Sequence, residues 1–209
     1  MTTLPAVASD RIDGWRLVDE RVETPFDVRL VTVTAATAVY EDPELATAVR
    51  DATGSDGPGR FFLTSHVTLQ PQPPTSGTLR KLVTDRASRN FADQLRERGF
   101  TRVERTDERS FSVAGADARL VAYDGQCPVG DLTFDVQGWL AVWETDGDYF
   151  LAGGAYPTGV SGDSRNDSRD GGDNGSVASR ETLQKQLEPG RFREELFELV
   201  RSVRPRERR

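Results

Sequence analysis

With 209 residues the chain is long enough to bury one well-formed core, so a single domain over 1–209 is expected. Acidic residues outnumber basic ones by 34 to 27, for a net charge of -7, and only Lys81 and Lys185 among the basic residues are lysines. That balance argues against nucleic acid as the main partner, because a phosphate backbone calls for a basic face that replaces its counterions. In concentrated salt the Debye length falls to about 3 Å at 1 M, and acidic surface then costs little self-repulsion. An acid-rich, lysine-poor composition therefore reads as that of a halophilic protein. Arginine-favouring codons alone do not account for the excess of Asp and Glu.

The opening MTTLPAVASDRIDGW lacks a basic region followed by a long apolar one, so it does not read as a signal peptide. No window approaches the roughly 18 apolar residues of a membrane span. A cytoplasmic location follows as the expectation, with no membrane partner. In chain order, WRLV (15–18) and FDVRLVTVTAATAVY (26–40) are rich in Val and Thr and predict strands. DPELATAVRDATG predicts a short helix, with Asp42 as cap, Pro43 in the first turn and Gly54 as stop. RFFLTSHVTL (60–69) alternates strictly, with Phe61, Leu63, Ser65, Val67 and Leu69 on one side and Phe62, Thr64, His66 and Thr68 on the other.

A helix follows from Thr78 to Arg98, its apolar stripe made by Leu79, Leu82, Val83, Ala87, Phe91 and Leu95. RVERT, RSFSVAG and ARLVAYD predict strands, the last two joined at 115–117. LTFDVQGWLAVWET and DYFLAGGAYP form a hairpin around Asp146, Gly147 and Asp148. Gly153 and Gly154 mark a bulge or a close crossing. Residues 158–179, mostly Gly, Ser, Asp, Asn and Arg, predict a disordered insertion. The spacing of Asp163, Asp167, Asp170 and Asp173 fits no calcium loop. REELFELVRSVR predicts a terminal amphipathic helix, and 205–209 a flexible, solvated tail.

Along 139–143 the strand is apolar on both faces: Trp139, Ala141 and Trp143 point one way, Leu140 and Val142 the other. Such a strand belongs at the centre of a covered sheet. The expected fold is therefore α+β, a mostly antiparallel sheet with helices packed on both faces. The tryptophans read first as core pieces and only second as a surface that grips a ligand.

FADQLRERGFTRVERTDERSFSVAGADARLVAYDGQ, GWLAVWETDGDYFLAGGAYP and REELFELVRSVR together resemble uncharacterised haloarchaeal proteins and, more distantly, the PsbP/Mog1-like α/β/α sandwich. The resemblance covers roughly residues 60 to 204 and rests on the order of elements and on the Ser202, Val203, Arg204 ending. It implies a binding or assembly module of that architecture. It carries no functional residue onto this chain. The lack of a signal peptide and the acidic segment at 158–179 depart from the PsbP proteins, which removes their photosynthetic role.

Catalytic signatures are weak. His66 is the one histidine and Ser65 faces the other way, with no GxSxG elbow to make a nucleophile. Cys127, the one cysteine, excludes an intramolecular disulfide and a cysteine zinc cage, and is expected in a turn before Pro128. Neither a Walker phosphate loop nor a strand followed by GxGxxG is present. No catalytic, cofactor-binding or metal residue is assigned. The expected function is a non-enzymatic binding or assembly module that meets a protein partner through the face or edge of its sheet. The alternative is a small enzyme or small-molecule carrier with a pocket between helix and sheet, using His66, Cys127, Asp124 or Asp131.

Overall fold

The computed structural model describes residues 2–28, 31–57, 59–74, 76–162 and 174–206. In chain order the elements are α1 (Ser9–Ile12), β1 (Arg16–Val28), β2 (Val31–Glu41), α2 (Pro43–Thr53), β3 (Phe61–Gln70), α3 (Gly77–Glu97) and β4 (Thr101–Val113). They continue as β5 (Ala116–Val129), β6 (Leu132–Thr145), β7 (Asp148–Gly162), α4 (Asn174–Gln186) and α5 (Pro189–Ser202). Among the described residues the strands form one seven-stranded sheet in the order β1-β2-β3-β7-β6-β5-β4, antiparallel throughout.

Local chemistry fixes several ends. Asp42 accepts from the backbone N–H groups of Glu44 and Leu45, and Gly54 closes α2 in the left-handed conformation, φ 69°. Asp146 and Gly147, with φ of 55° and 81°, make the two-residue turn that pairs β6 with β7 from Thr145 and Asp148 onward.

The two faces of β6 divide the core as the alternation predicts. Leu140 and Val142 join Ala87, Phe91 and Leu95 of α3, Val49 of α2 and Leu183 of α4. Trp139, Ala141 and Trp143 join Phe192, Leu196, Leu199 and Val200 of α5. Each such Val, Leu or Phe contributes about 1.5–3 kcal/mol by leaving water. Trp139 meets Phe197 edge-on at 5.1 Å and Trp143 stacks on Phe150 at 5.8 Å. The indole N–H of Trp139 donates to Gln137 and to the Tyr156 hydroxyl, which itself donates to Gln137 at 2.7 Å.

Arg60, 8% exposed, ties three elements together. It bonds Asp42 at 2.8 Å, pairs with Glu195, and lies 4.3 Å over the Phe192 ring and 5.1 Å over Trp15.

Several expectations are corrected. The run 26–40 divides between β1 and β2, and β1 reaches back to Arg16 through DERVETP. As the outermost strand it is mostly exposed over Arg16–Thr24, which permits charge where a central strand would not. RVERT and RSFSV are one strand, β4, with register shifts at 101–104 and 105–107. The β4–β5 turn falls at Ala114 and Gly115. Cys127 lies in β5 opposite Phe134, not in a turn. Leu82 is 60% exposed, while Thr84 and Ser88 take buried positions on α3. No register shift occurs at Gly153 or Gly154, so they serve close approach and not a bulge. Of the segment 158–179, Thr158–Gly162 complete β7 and Asn174–Ser179 open α4. Residues 163–173, and 207–209 of the tail, lie outside the described residues.

Candidate ligand-binding cavity

The apolar stripe of α3 reaches the sheet only over its second half. There Phe91 meets Tyr123 at 5.3 Å, and Phe91 and Leu95 pack over Gly138. Toward its start, capped by Ser76 through the Leu79 N–H at 3.1 Å, the helix presents Gly77, Arg80, Lys81, Thr84 and Asp85 instead. The strands below are equally polar, offering Glu108 and Ser110 of β4, Asp117 and Arg119 of β5, Glu144 of β6 and Tyr149 of β7. Neither surface gains by closing on the other. The result is a concave cavity of about 760 Å³, to which Val142 adds apolar wall, while Ala118 and Trp143, packed in the α5-side core, only border it. Its volume falls within the range of small-molecule sites, while its lining is more polar than theirs commonly is.

Part of its charge is settled internally. Arg80 bonds Glu144 at 2.9 Å, and Glu144 also accepts from the Gly147 N–H at 2.8 Å. Glu108 pairs with Arg105 and stands 3.7 Å from Arg119. Tyr149 is 2% exposed, and its hydroxyl is buried with no hydrogen-bond partner within the described protein. Such an orphan costs about 1–3 kcal/mol. Burial raises the Tyr149 hydroxyl pKa above the ordinary 10.0; the Glu144 charge adds to this and Arg80 opposes it.

Tyr40, Tyr123 and Tyr156 shift upward too, each chiefly by burial. With four tyrosines in the chain, all move the same way. Above pH 10 the unfolded chain loses phenolic protons that the folded chain keeps, so it binds fewer protons and stability falls with rising pH. Stability should be level with respect to these groups below pH 10 and decline from there through the folded values. The check is the urea midpoint, lower at about pH 11 than at about pH 9, with native phenolate absorbance appearing at higher pH than in denatured chain.

The residues singled out in the sequence do not converge. His66 stands on β3 with Nδ1 2.9 Å from the Thr3 carbonyl and Nε2 3.0 Å from Asp148, its ring stacked 4.6 Å from Phe150. Ser65 bonds Thr37 at 2.9 Å on the opposite face. Cys127 belongs to the α3-side core, where burial raises its thiol pKa. A thiol shifted that way is a poorer nucleophile at neutral pH. Asp124 and Asp131 are exposed, and none of these residues lines the cavity. Trp143 borders the cavity, yet its indole packs, like that of Trp139, in the α5-side core. Among the described residues no group of three or more His, Cys, Asp or Glu side chains is placed to hold a metal ion. None of the described helices is long and apolar enough to cross a membrane.

Fold and cavity together define an α+β protein built on an antiparallel sheet, with a polar cavity under the first half of its longest helix. The chain belongs to the DUF6517 family, a domain of unknown function, which matches residues 4–204. No curated protein matches the chain. Among solved structures, a Pseudomonas aeruginosa protein of unknown function, PA94, is similar over 82% of this chain and 98% of its own. At 11% identity and a TM-score of 0.32 that likeness carries no argument.

Proposed function

We propose that the chain is a non-enzymatic binding module whose ligand is a small polar molecule seated between α3 and strands β4 to β7. The carrying observation is the cavity of about 760 Å³ between the polar first half of α3 and the polar side chains of β4 to β7. His66 and Cys127, the residues best suited to nucleophilic or general-base work, lie elsewhere and are engaged or buried. The core contacts of α3 on one face of the sheet and α5 on the other support a PsbP/Mog1-like sandwich, and the acid-rich composition supports a halophilic setting.

The test is a thermal-shift screen of polar metabolite classes against the wild type and Ser110→Trp. Ser110 is an exposed position in the lining whose enlargement narrows the cavity without removing a buried group. At least one class should raise the melting temperature of the wild type alone. Equal shifts in both proteins, or none in either, contradict the proposal.

A protein-binding reading is supported by one observation. Edge strand β1 exposes Leu17 at 47%, Val18 at 39% and Val22 at 62%. A partner that adds a strand there would be lost in Val22→Lys and kept in Ser110→Trp.

A further inference from the structure

We infer that His66 is a proton-operated latch on the N-terminal segment: the protonated ring holds Thr3 and Asp148 together, and the neutral ring lets Thr3 go. The latch lies on the sheet face opposite the cavity and is independent of any ligand there. His66 is 9% exposed, flanked in register by Ala36 of β2 and by Phe150 of β7, a member of the α5-side core.

The inference follows from what stands opposite each ring nitrogen. Nδ1 lies 2.9 Å from the Thr3 carbonyl oxygen, and Nε2 lies 3.0 Å from a carboxylate oxygen of Asp148. Both partners only accept, so each bond needs an N–H from the ring. A neutral imidazole carries one N–H and an imidazolium carries two. Only the charged ring therefore meets both distances with a hydrogen bond, and Asp148 supplies its counter-charge.

Other charges stand farther off. Among the described residues Asp148 is the one charged group within ion-pair distance of the ring. Ala36 and Phe150 carry no charge, and neither do Thr64 and Thr68 on β3 itself. On β1 the same face carries Glu20, which stands opposite Ala38 and so two strands from β3.

Loss of the proton leaves a nitrogen lone pair facing an oxygen lone pair, and the weaker of the two bonds opens. A carboxylate accepts more strongly than a peptide carbonyl. Asp148 is also fixed by the β6–β7 hairpin, where it pairs with Thr145, whereas Thr3 lies near a chain end, where order is lost most readily. The rest of the segment is tied by the Thr2 and Thr68 hydroxyls at 2.8 Å and by the paired backbones of Ala6 and Arg204 at 2.9 Å. Release is thus confined to the residues before Ala6. The latched form holds one proton more than the released form, so rising pH favours release.

Backbone relaxation and ring 15N shifts of the full chain test this at about pH 5.5 and about pH 9, on either side of the imidazole charge change. At the lower pH both ring nitrogens should carry protons, and the order parameters of Thr3 and Leu4 should be about 0.85. At the higher pH Nδ1 should be bare and the same order parameters should fall below about 0.6. Asp148→Asn separates a latch from a plain structural contact. Its amide donates to Nε2, a neutral ring then keeps its Nδ1–H for Thr3, and the segment should stay ordered at both pH values. His66→Gln should leave Thr3 and Leu4 with no pH dependence. Equal order at both pH values in the wild type, a bare Nδ1 at the lower pH, or the wild-type loosening persisting in either variant overturns the inference.

Discussion

Gly154→Ala should destabilise the chain by about 3 kcal/mol or more, because the added methyl has nowhere to go. A Cβ at Gly154 would overlap the carbonyl oxygen of Phe61 on β3 and stand 3.0 Å from its carbon and 3.1 Å from Leu196 of α5. At Gly153 it would overlap the Trp139 carbonyl oxygen on β6 and stand 2.9 Å from the Leu140 Cα. These obstacles are mainly backbone on the strands flanking β7, so relief requires moving a ladder and not a rotamer. Gly153 pairs with Leu63 and Leu140, and Gly154 with Phe62 and Trp139, in register on both sides. Gly190 of α5 is the control, with nothing within 4 Å of a built Cβ. Gly190→Ala should stabilise by about 0.5–1 kcal/mol through helix propensity and reduced unfolded-state freedom. Urea midpoints at constant m separate the two outcomes.

Trp139→Ala should cost about 3–5 kcal/mol, a large share of the roughly 5–15 kcal/mol that holds a domain folded. The indole is 6% exposed, packs edge-on against Phe197, and carries the Arg109 guanidinium 4.9 Å above its ring. Its removal opens a void between β6 and α5 and takes the donor away from Gln137 and Tyr156. Leu82→Ala should change stability by no more than about 0.5 kcal/mol, since that side chain already stands in solvent. A loss at Leu82 as large as at Trp139 would contradict the packing described.

These two sites also show what the sequence discloses. The two-sided apolar run 139–143, the Asp42 and Gly54 caps and the Asp146–Gly147 turn each carry a local signal strong enough to read unaided. β1 does not, because an edge strand bathed on both sides has no need to alternate, and its charges and Pro25 imitate a loop. α4 is hidden for a related reason: NGSVASRETLQKQ is polar, and Leu183, fully buried, anchors it to the core. Cys127 in DGQCPV looks like a turn until Phe134 is placed opposite it.

The cavity was least legible, since its lining is drawn from Gly77 to Tyr149 across α3 and four strands, as charges that read one by one as solvated faces. A partial signal was present. Lys81 and Thr84 interrupt the sheet-facing side of α3 where an apolar stripe would have closed it.

Backbone amide shifts of 15N-labelled chain, titrated with the compound that stabilises it most in the screen, test the central claim directly. Shifts should concentrate on Arg80, Lys81, Asp117, Arg119, Glu144 and Tyr149 and be absent in Ser110→Trp. Shifts clustered on Leu17 to Val22 of β1, or spread without a focus, would contradict it.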